Sequence, residues 1–259
     1  MSIQKQMKLK TLFKIWPMHT ALPIAWLKEK GFSPSLIQKY VFSGWAQHLN
    51  RGVLIRPDDR AEWSGLVWGL QQVYPFHVGG KTALELQGKA HFVKFQENNI
   101  FLFTKPGFKL PKWLNQEKNS IKFIHVPTNL FVRDIGIKEY SFGEYSLKIS
   151  NPARGFLEYM HLSKRYHSLD EAYYLMENLH SLSHSLMQEA LEECRSVRVK
   201  RLVLCLAKKQ NANWLKNLDL SKINLGKGVR EGVEEGRYDP EFLITYPRSW
   251  DKNENESLF

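Results

Sequence analysis

The sequence predicts an α+β protein: an N-terminal winged helix-turn-helix followed by a mixed α/β C-terminal domain. Three observations predict it. Residues 33–57 read as a capped helix, a short run, a glycine turn and a β-branched run closed by proline, which is a helix followed by a hairpin. Two helical stretches precede it, the second separated from it only by Gly31-Phe32. Beyond about residue 91 the texture turns to apolar strand-like runs, and helical periodicity returns only from Pro152.

The elements follow in order. Residues 2–15 place Ile3, Met7, Leu9, Leu12, Phe13 and Ile15 at mostly helical spacing with lysines between them, and Trp16-Pro17 stops that helix. Thr20 is expected to open a second helix through Leu22, Ala25, Trp26 and Leu27, ending at Lys30-Gly31. Ser33 can cap a third, with Pro34 at its first position, where the missing N–H costs nothing. Leu36, Ile37, Tyr40 and Val41 then face inward, leaving Ser35, Gln38 and Lys39 outside. Gly44 ends the helix, and Asn50-Arg51-Gly52 turns a hairpin whose second strand begins at Val53.

Asp58-Asp59 is expected to cap a helix over residues 61–73, followed by a strand and turn at 76–80 and a helical piece at 82–86. Strands are expected at 99–104, 121–126 and 142–149, and helices at 153–160, 169–179, 186–194 and 197–207. A turn-rich hairpin closes the fold near 238–247, and residues from Ser249 onward read as a frayed polar end.

With 259 residues, 43% hydrophobic and 13% aromatic, the chain can bury a sizeable core, which argues against global disorder. Its net charge of +11 is concentrated at the front. Residues 1–56 hold nine lysines and arginines against the single acid Glu29, whereas the remainder is nearly balanced. Such a concentration is rewarded by counterion release from a phosphate backbone. The two cysteines, Cys194 and Cys205, form no CxxC pair, which argues against a disulfide framework or zinc site and suits a reducing cytoplasm. No signal peptide or uncharged membrane-length run is apparent, so a soluble cytoplasmic protein with no membrane partner is expected.

For DNA, Ser33, Ser35, Gln38 and Lys39 are candidates for the major groove, glutamine suiting adenine and lysine suiting guanine or phosphate. Asn50, Arg51 and Arg56 on the hairpin are candidates for phosphate or the minor groove, and Lys28 and Lys30 for neighbouring phosphates. Arg198, Lys200 and Arg201 open a later helix; they read as a second nucleic-acid surface, a partner-facing patch or an ordinary basic face. His180 and His184 lack the glutamate and third ligand a zinc helix needs, and read as surface histidines. Gly79-Gly80 and Gly226-Lys227-Gly228 lack a phosphate-loop pattern and read as turns. No catalytic constellation, metal site or cofactor site is predicted.

Several phrases resemble one family in order along nearly the whole chain. They are Gly44-Trp45 with Leu49-Asn-Arg-Gly-Val53; Trp63-Ser-Gly65 with Phe76-His-Val-Gly-Gly-Lys-Thr-Ala-Leu-Glu-Leu-Gln-Gly88; Ser150-Asn-Pro-Ala-Arg-Gly-Phe-Leu-Glu158; and Val199-Lys-Arg-Leu-Val-Leu204 with Leu225-Gly-Lys-Gly228, Gly236-Arg-Tyr-Asp-Pro240 and Ile244-Thr-Tyr-Pro247. The set resembles the AbiEi-type antitoxins and transcriptional regulators of type IV abortive-infection toxin–antitoxin systems. The resemblance implies a winged helix-turn-helix in residues 1–92, with its core in 1–57, that represses its own operon at inverted repeats in double-stranded DNA. It further implies an α/β antitoxin domain, placed at 93–249, that counteracts a nucleotidyltransferase toxin without requiring a stable complex; the polar residues 250–259 read as a flexible tail. A bacterial cytoplasmic protein, nucleoid-associated when on DNA and without enzymatic activity, follows from it. The alternatives are a DNA-targeting enzyme with a nuclease-like C-terminal domain, or a regulator whose C-terminal domain binds a partner protein.

Overall fold

The computed structural model describes residues 3–90, 99–115 and 121–251. The chain divides into two compact units. Unit one is Met1–His77 with Lys109–Ile121 and Glu139–Lys148; unit two is Val78–Phe108 with Lys122–Lys138 and Ile149–Phe259. The domain boundary expected at residue 92 lies outside the described residues.

Unit one begins α1 (Ile3–Ile15), β1 (Leu22–Pro23), α2 (Ile24–Glu29), α3 (Pro34–Phe42), β2 (Gln47–Asn50) and β3 (Val53–Ile55). The strands pair antiparallel in the order β1-β3-β2. Three helices with a small sheet interleaved in this order make a winged helix-turn-helix. Its interior holds Leu12, Trp16, Leu22, Leu27, Ile37, Leu54 and Ile55.

The second helix starts later than the sequence suggests. Thr20 does not cap it: its hydroxyl donates to Pro17 O at 2.7 Å, and its own carbonyl accepts from the Trp16 indole at 3.1 Å. Leu22 and Pro23 instead pair with Leu54 and Val53, so α2 begins only at Ile24. Its short length suits a chain that leaves a sheet and must turn at once, through Gly31 at φ +82°, into α3.

A helix α4 (Trp63–Gln71) follows, shorter than the expected 61–73, and Asp58-Asp59 does not cap it. Asp59 accepts instead from the His19 N–H at 2.8 Å. Two glycines let α4 lie against backbone: a Cβ at Gly65 would fall 1.9 Å from His19 O, and one at Gly69 2.0 Å from Ala21 O. Strand β4 (Phe76–Val78) comes next. Strands β7 (Ile137–Ser141) and β8 (Ser146–Ser150) replace the single strand expected at 142–149. Gly143, at φ +74°, sits in the turn between them, which is closed by the Phe142 N–H to Tyr145 O bond at 2.7 Å.

In unit two, β5 (Asn99–Thr104) and β6 (Lys122–Pro127) run parallel through six residue pairs, from Asn99 opposite Lys122 to Thr104 opposite Pro127. Val78 pairs in parallel with Ile149. Helices α5 (Gly80–Leu86), α6 (Pro152–Leu162), α7 (Leu169–Glu177), α8 (His184–Glu193) and α9 (Val197–Lys209) build the main core. The chain ends in the antiparallel pair β9 (Arg237–Asp239) and β10 (Ile244–Tyr246). The fraying expected from Ser249 does not begin there. Trp250 is buried and its indole donates to Leu169 O at 2.8 Å, so the chain is held through Asp251; the rest of the expected tail lies outside the described residues.

Two buried polar arrangements pin this unit. Glu158, on α6, accepts from the Gly80 N–H at 3.0 Å, Ser150 Oγ at 2.6 Å and Arg154 Nε at 2.8 Å. A Cβ at Gly79 would lie 2.2 Å from the same carboxylate, so the glycine is required there. His167 stacks on Tyr159 at 4.4 Å and meets Phe101 edge-on at 4.8 Å. Burial holds its pKa down to about 4, with Lys81 pushing the same way and Glu171 opposing.

Candidate nucleic-acid interface

The candidate surface is built on α3. Ser33 caps it, its Oγ accepting from the Leu36 N–H at 3.3 Å, and Pro34 takes the first helical position. Phe32 before the cap and Ile37 one turn on are both buried, the placement of a hydrophobic staple that fixes the angle of entry. Ile37 and Tyr40 face the interior, and the outer stripe carries Ser35, Gln38 and Lys39, all exposed. Ser33 and Ser35 are linked through their hydroxyls at 3.1 Å. Ser43 Oγ bonds Lys39 O at 2.7 Å, Gly44 takes φ +73°, and the Trp45 N–H returns to Tyr40 O at 2.9 Å. The chain therefore passes straight from the helix into the hairpin.

On the hairpin, Gly52 adopts φ +80° and the Asn50 side chain accepts from the Arg51 N–H at 2.7 Å. That bond leaves Arg51, exposed, at the tip. The buried strand β3 anchors the hairpin to the body. Lys28 and Lys30 are exposed at and just beyond the end of α2, the latter with its ammonium over the Trp26 ring at 5.3 Å. Lys8, Lys10 and Lys14 on α1 are exposed too, and Lys8 donates to Gly31 O at 3.1 Å, tying α1 to the turn before α3. Eight of the nine N-terminal candidates thus stand on the outside of unit one or at the hairpin tip.

Arg56 is the exception, and the expectation that it reaches DNA is corrected. Its guanidinium turns inward, donating to Phe13 O at 3.1 Å, to Trp16 O and to Met18 Sδ at 2.8 Å, and it lies over the rings of Phe13 at 4.9 Å and Trp16 at 5.8 Å. Burial lowers its pKa, opposed by Asp59 and Glu144. Its work is to close the C-terminal end of α1, whose last carbonyls need donors.

The second basic set is also corrected. Arg201 is 2% exposed and donates to Leu225 O at 2.9 Å, Gly226 O at 3.2 Å, Gly228 O at 2.6 Å and Leu243 O at 2.9 Å. Arg198 donates to Ser163 Oγ at 3.2 Å and Gly232 O at 2.9 Å, and Lys200 is 3% exposed. Burial lowers the pKa of all three. Arg201 gathers loop carbonyls, Lys200 is buried and Arg198 is half-buried, so the three do not form one exposed basic patch. The same contacts explain the glycine loop at 226–228: its carbonyls are turned onto Arg201. His180 and His184 do not share a helix, for His184 opens α8 while His180 bonds Gln210 at 3.0 Å. Among the described residues no helix is long and apolar enough to cross a membrane.

Residue Phe42 is the functional candidate that sequence reasoning passed over, being 95% exposed at the end of α3. Its seven-residue spacing from Ser35 was the available signal.

Two family models match the chain. One, described as "Transcriptional regulator, AbiEi antitoxin N-terminal domain", covers residues 5–95, and the other, "Transcriptional regulator, AbiEi antitoxin, Type IV TA system", covers residues 97–247. No curated protein sequence shows significant similarity to the chain. Among solved structures, the RV2827C protein from Mycobacterium tuberculosis is similar in fold, with a TM-score of 0.56 and 15% identity over 91% of this chain and 88% of that one. With one model spanning more than half of the sequence and the other the winged helix, the chain belongs to the AbiEi family of type IV toxin–antitoxin transcriptional regulators and antitoxins.

Proposed function

We propose that the chain is a DNA-binding autorepressor of its own operon and an antitoxin that counteracts a nucleotidyltransferase toxin, neither task involving catalysis. The observation that carries the DNA reading is the outward stripe Ser35-Gln38-Lys39 on α3, continued in sequence by a hairpin with Arg51 at its tip. In this reading α3 enters the major groove of operator DNA with Ser33, Ser35, Gln38 and Lys39 facing it, Gln38 suiting adenine and Lys39 guanine or phosphate. Asn50 and Arg51 follow the adjacent backbone or minor groove, and Lys28 and Lys30 neutralise flanking phosphates. Unit two carries the antitoxin task.

The test is binding of a duplex from the chain's own promoter, measured across salt. Removing a single cation from a phosphate should reduce the slope of log K against log salt by about 1. The double variant K39A/R51A is expected to bind more weakly with a shallower slope, while still rescuing growth of cells that express the co-encoded toxin. An unchanged slope removes both residues from the interface. Metal-dependent cleavage of supercoiled DNA, abolished by one carboxylate substitution, would replace the reading with an enzyme.

A further inference from the structure

Phe42 ends the outer stripe of α3, following Ser35, Gln38 and Lys39 at positions i, i+3, i+4 and i+7. These side chains lie one above another on a single face, and all are exposed. At 95% exposed, Phe42 is the most exposed large hydrophobic residue among those described. The helix packs on its opposite face, through Ile37 and Tyr40, so the aromatic ring has no part in holding the fold. Lys39 stands on the same stripe, and the flanking segments carry the exposed cations Lys28, Lys30 and Arg51 together with the partly exposed Trp45 and Leu49. A protruding ring on a stripe that otherwise carries polar groups and a cation suits a ligand that is polyanionic at its edges and apolar at points inside. Duplex DNA has that pattern in the major groove, where phosphates line the rim and only thymine presents a methyl group.

We propose that Phe42 is a specificity-determining residue that reads thymine through its 5-methyl group, while Gln38 and Lys39 read the preceding positions by hydrogen bonding. The inference rests on the winged-helix reading above and adds to it a base preference that does not depend on charge.

The test selects binding sites from a duplex library with a randomised centre, using the full chain and its F42A variant. The preferred wild-type duplex is then remade with deoxyuridine in place of thymidine, one position at a time. Removing one buried methyl group should weaken wild-type binding about fourfold at one or two positions. At those positions F42A should bind thymine and uracil duplexes equally and should select no thymine, with a salt slope equal to that of the wild type because the substitution removes no charge. Because Phe42 is exposed, the variant should melt with the wild type, and a thermal scan checks this. A variant that keeps the thymine preference and the uracil penalty overturns the proposal and leaves the winged-helix reading intact. A wild-type chain that selects no sequence overturns both. If F42A instead turns a dimer into a monomer in sedimentation, with the uracil penalty unchanged, the ring belongs to a contact between copies and the proposal fails.

Discussion

Lys39 and Arg51 stand on the outside of unit one, whereas Arg198, Lys200 and Arg201, equally basic in sequence, are folded into unit two. The difference lies in the helix that carries each set. Helix α3 has one buried face and one wet face, so a cation at the right angle must point to water. Helix α9 is buried from Val199 to Ala207 without a break, so a cation within that stretch, Lys200 or Arg201, has no route to solvent. Arg201 is accommodated there because the loops after α9 turn carbonyls inward, and each buried carbonyl requires a donor. A basic run therefore marks a surface only when the apolar pattern around it leaves one.

Substitutions can break or sharpen this contrast. The largest effect is expected for R201L, which strands the carbonyls of Leu225, Gly226, Gly228 and Leu243. It should destabilise the chain by roughly 3–5 kcal/mol in urea unfolding, and a wild-type midpoint would show that α9 tolerates an uncharged core.

Next is the pH dependence of unit two. His167 has a pKa lowered from 6.5 to about 4, so the folded state holds it neutral while the unfolded chain takes up a proton. Stability should fall as pH drops from 6.5 and level off near 4, by up to about 3 kcal/mol from this one group. The H167F variant should show a flatter profile over that window; an identical profile would assign the fall to other groups.

Within unit one, R56A should cost about 2 kcal/mol in stability, since it frees carbonyls at the end of α1, yet leave the salt slope of DNA binding unchanged. A slope reduced by about 1 would return Arg56 to the interface. The smallest effect belongs to K39A/R51A, which should shift stability by less than about 0.5 kcal/mol while altering the salt slope, the reverse of R56A.

Residues 33–55 were readable because each local signal agrees with its neighbours: the Ser33 cap, Pro34 at the first position, the left-handed Gly44 and Gly52, and an apolar stripe of helical period. Strands β5 and β6 and the helices from α6 to α9 were readable for the same reason, being long and strongly patterned. Strand β1 was not. Two residues have no period, and Leu22 and Pro23 are a strand only because Leu54 and Val53 lie beside them. Arg56 was misread because a proline-closed hairpin end looks the same whether the last side chain turns out to phosphate or back onto Phe13 and Trp16. Trp250 was hidden by the polar residues around it, though a tryptophan in a polar stretch is itself a sign of docking.

The Gly79-Gly80 step has a consequence for what unit two can become. Backbone N–H groups at the start of a helix commonly receive phosphate from a nucleotide. Here that seat is taken from within by Glu158, which arrives on α6 already neutralised by Arg154 and bound to Ser150. The doublet works as a buckle between α5 and α6, and its tongue is a carboxylate belonging to the chain. A nucleotide site could arise at this step only after the buckle was undone, at the expense of the core it fastens.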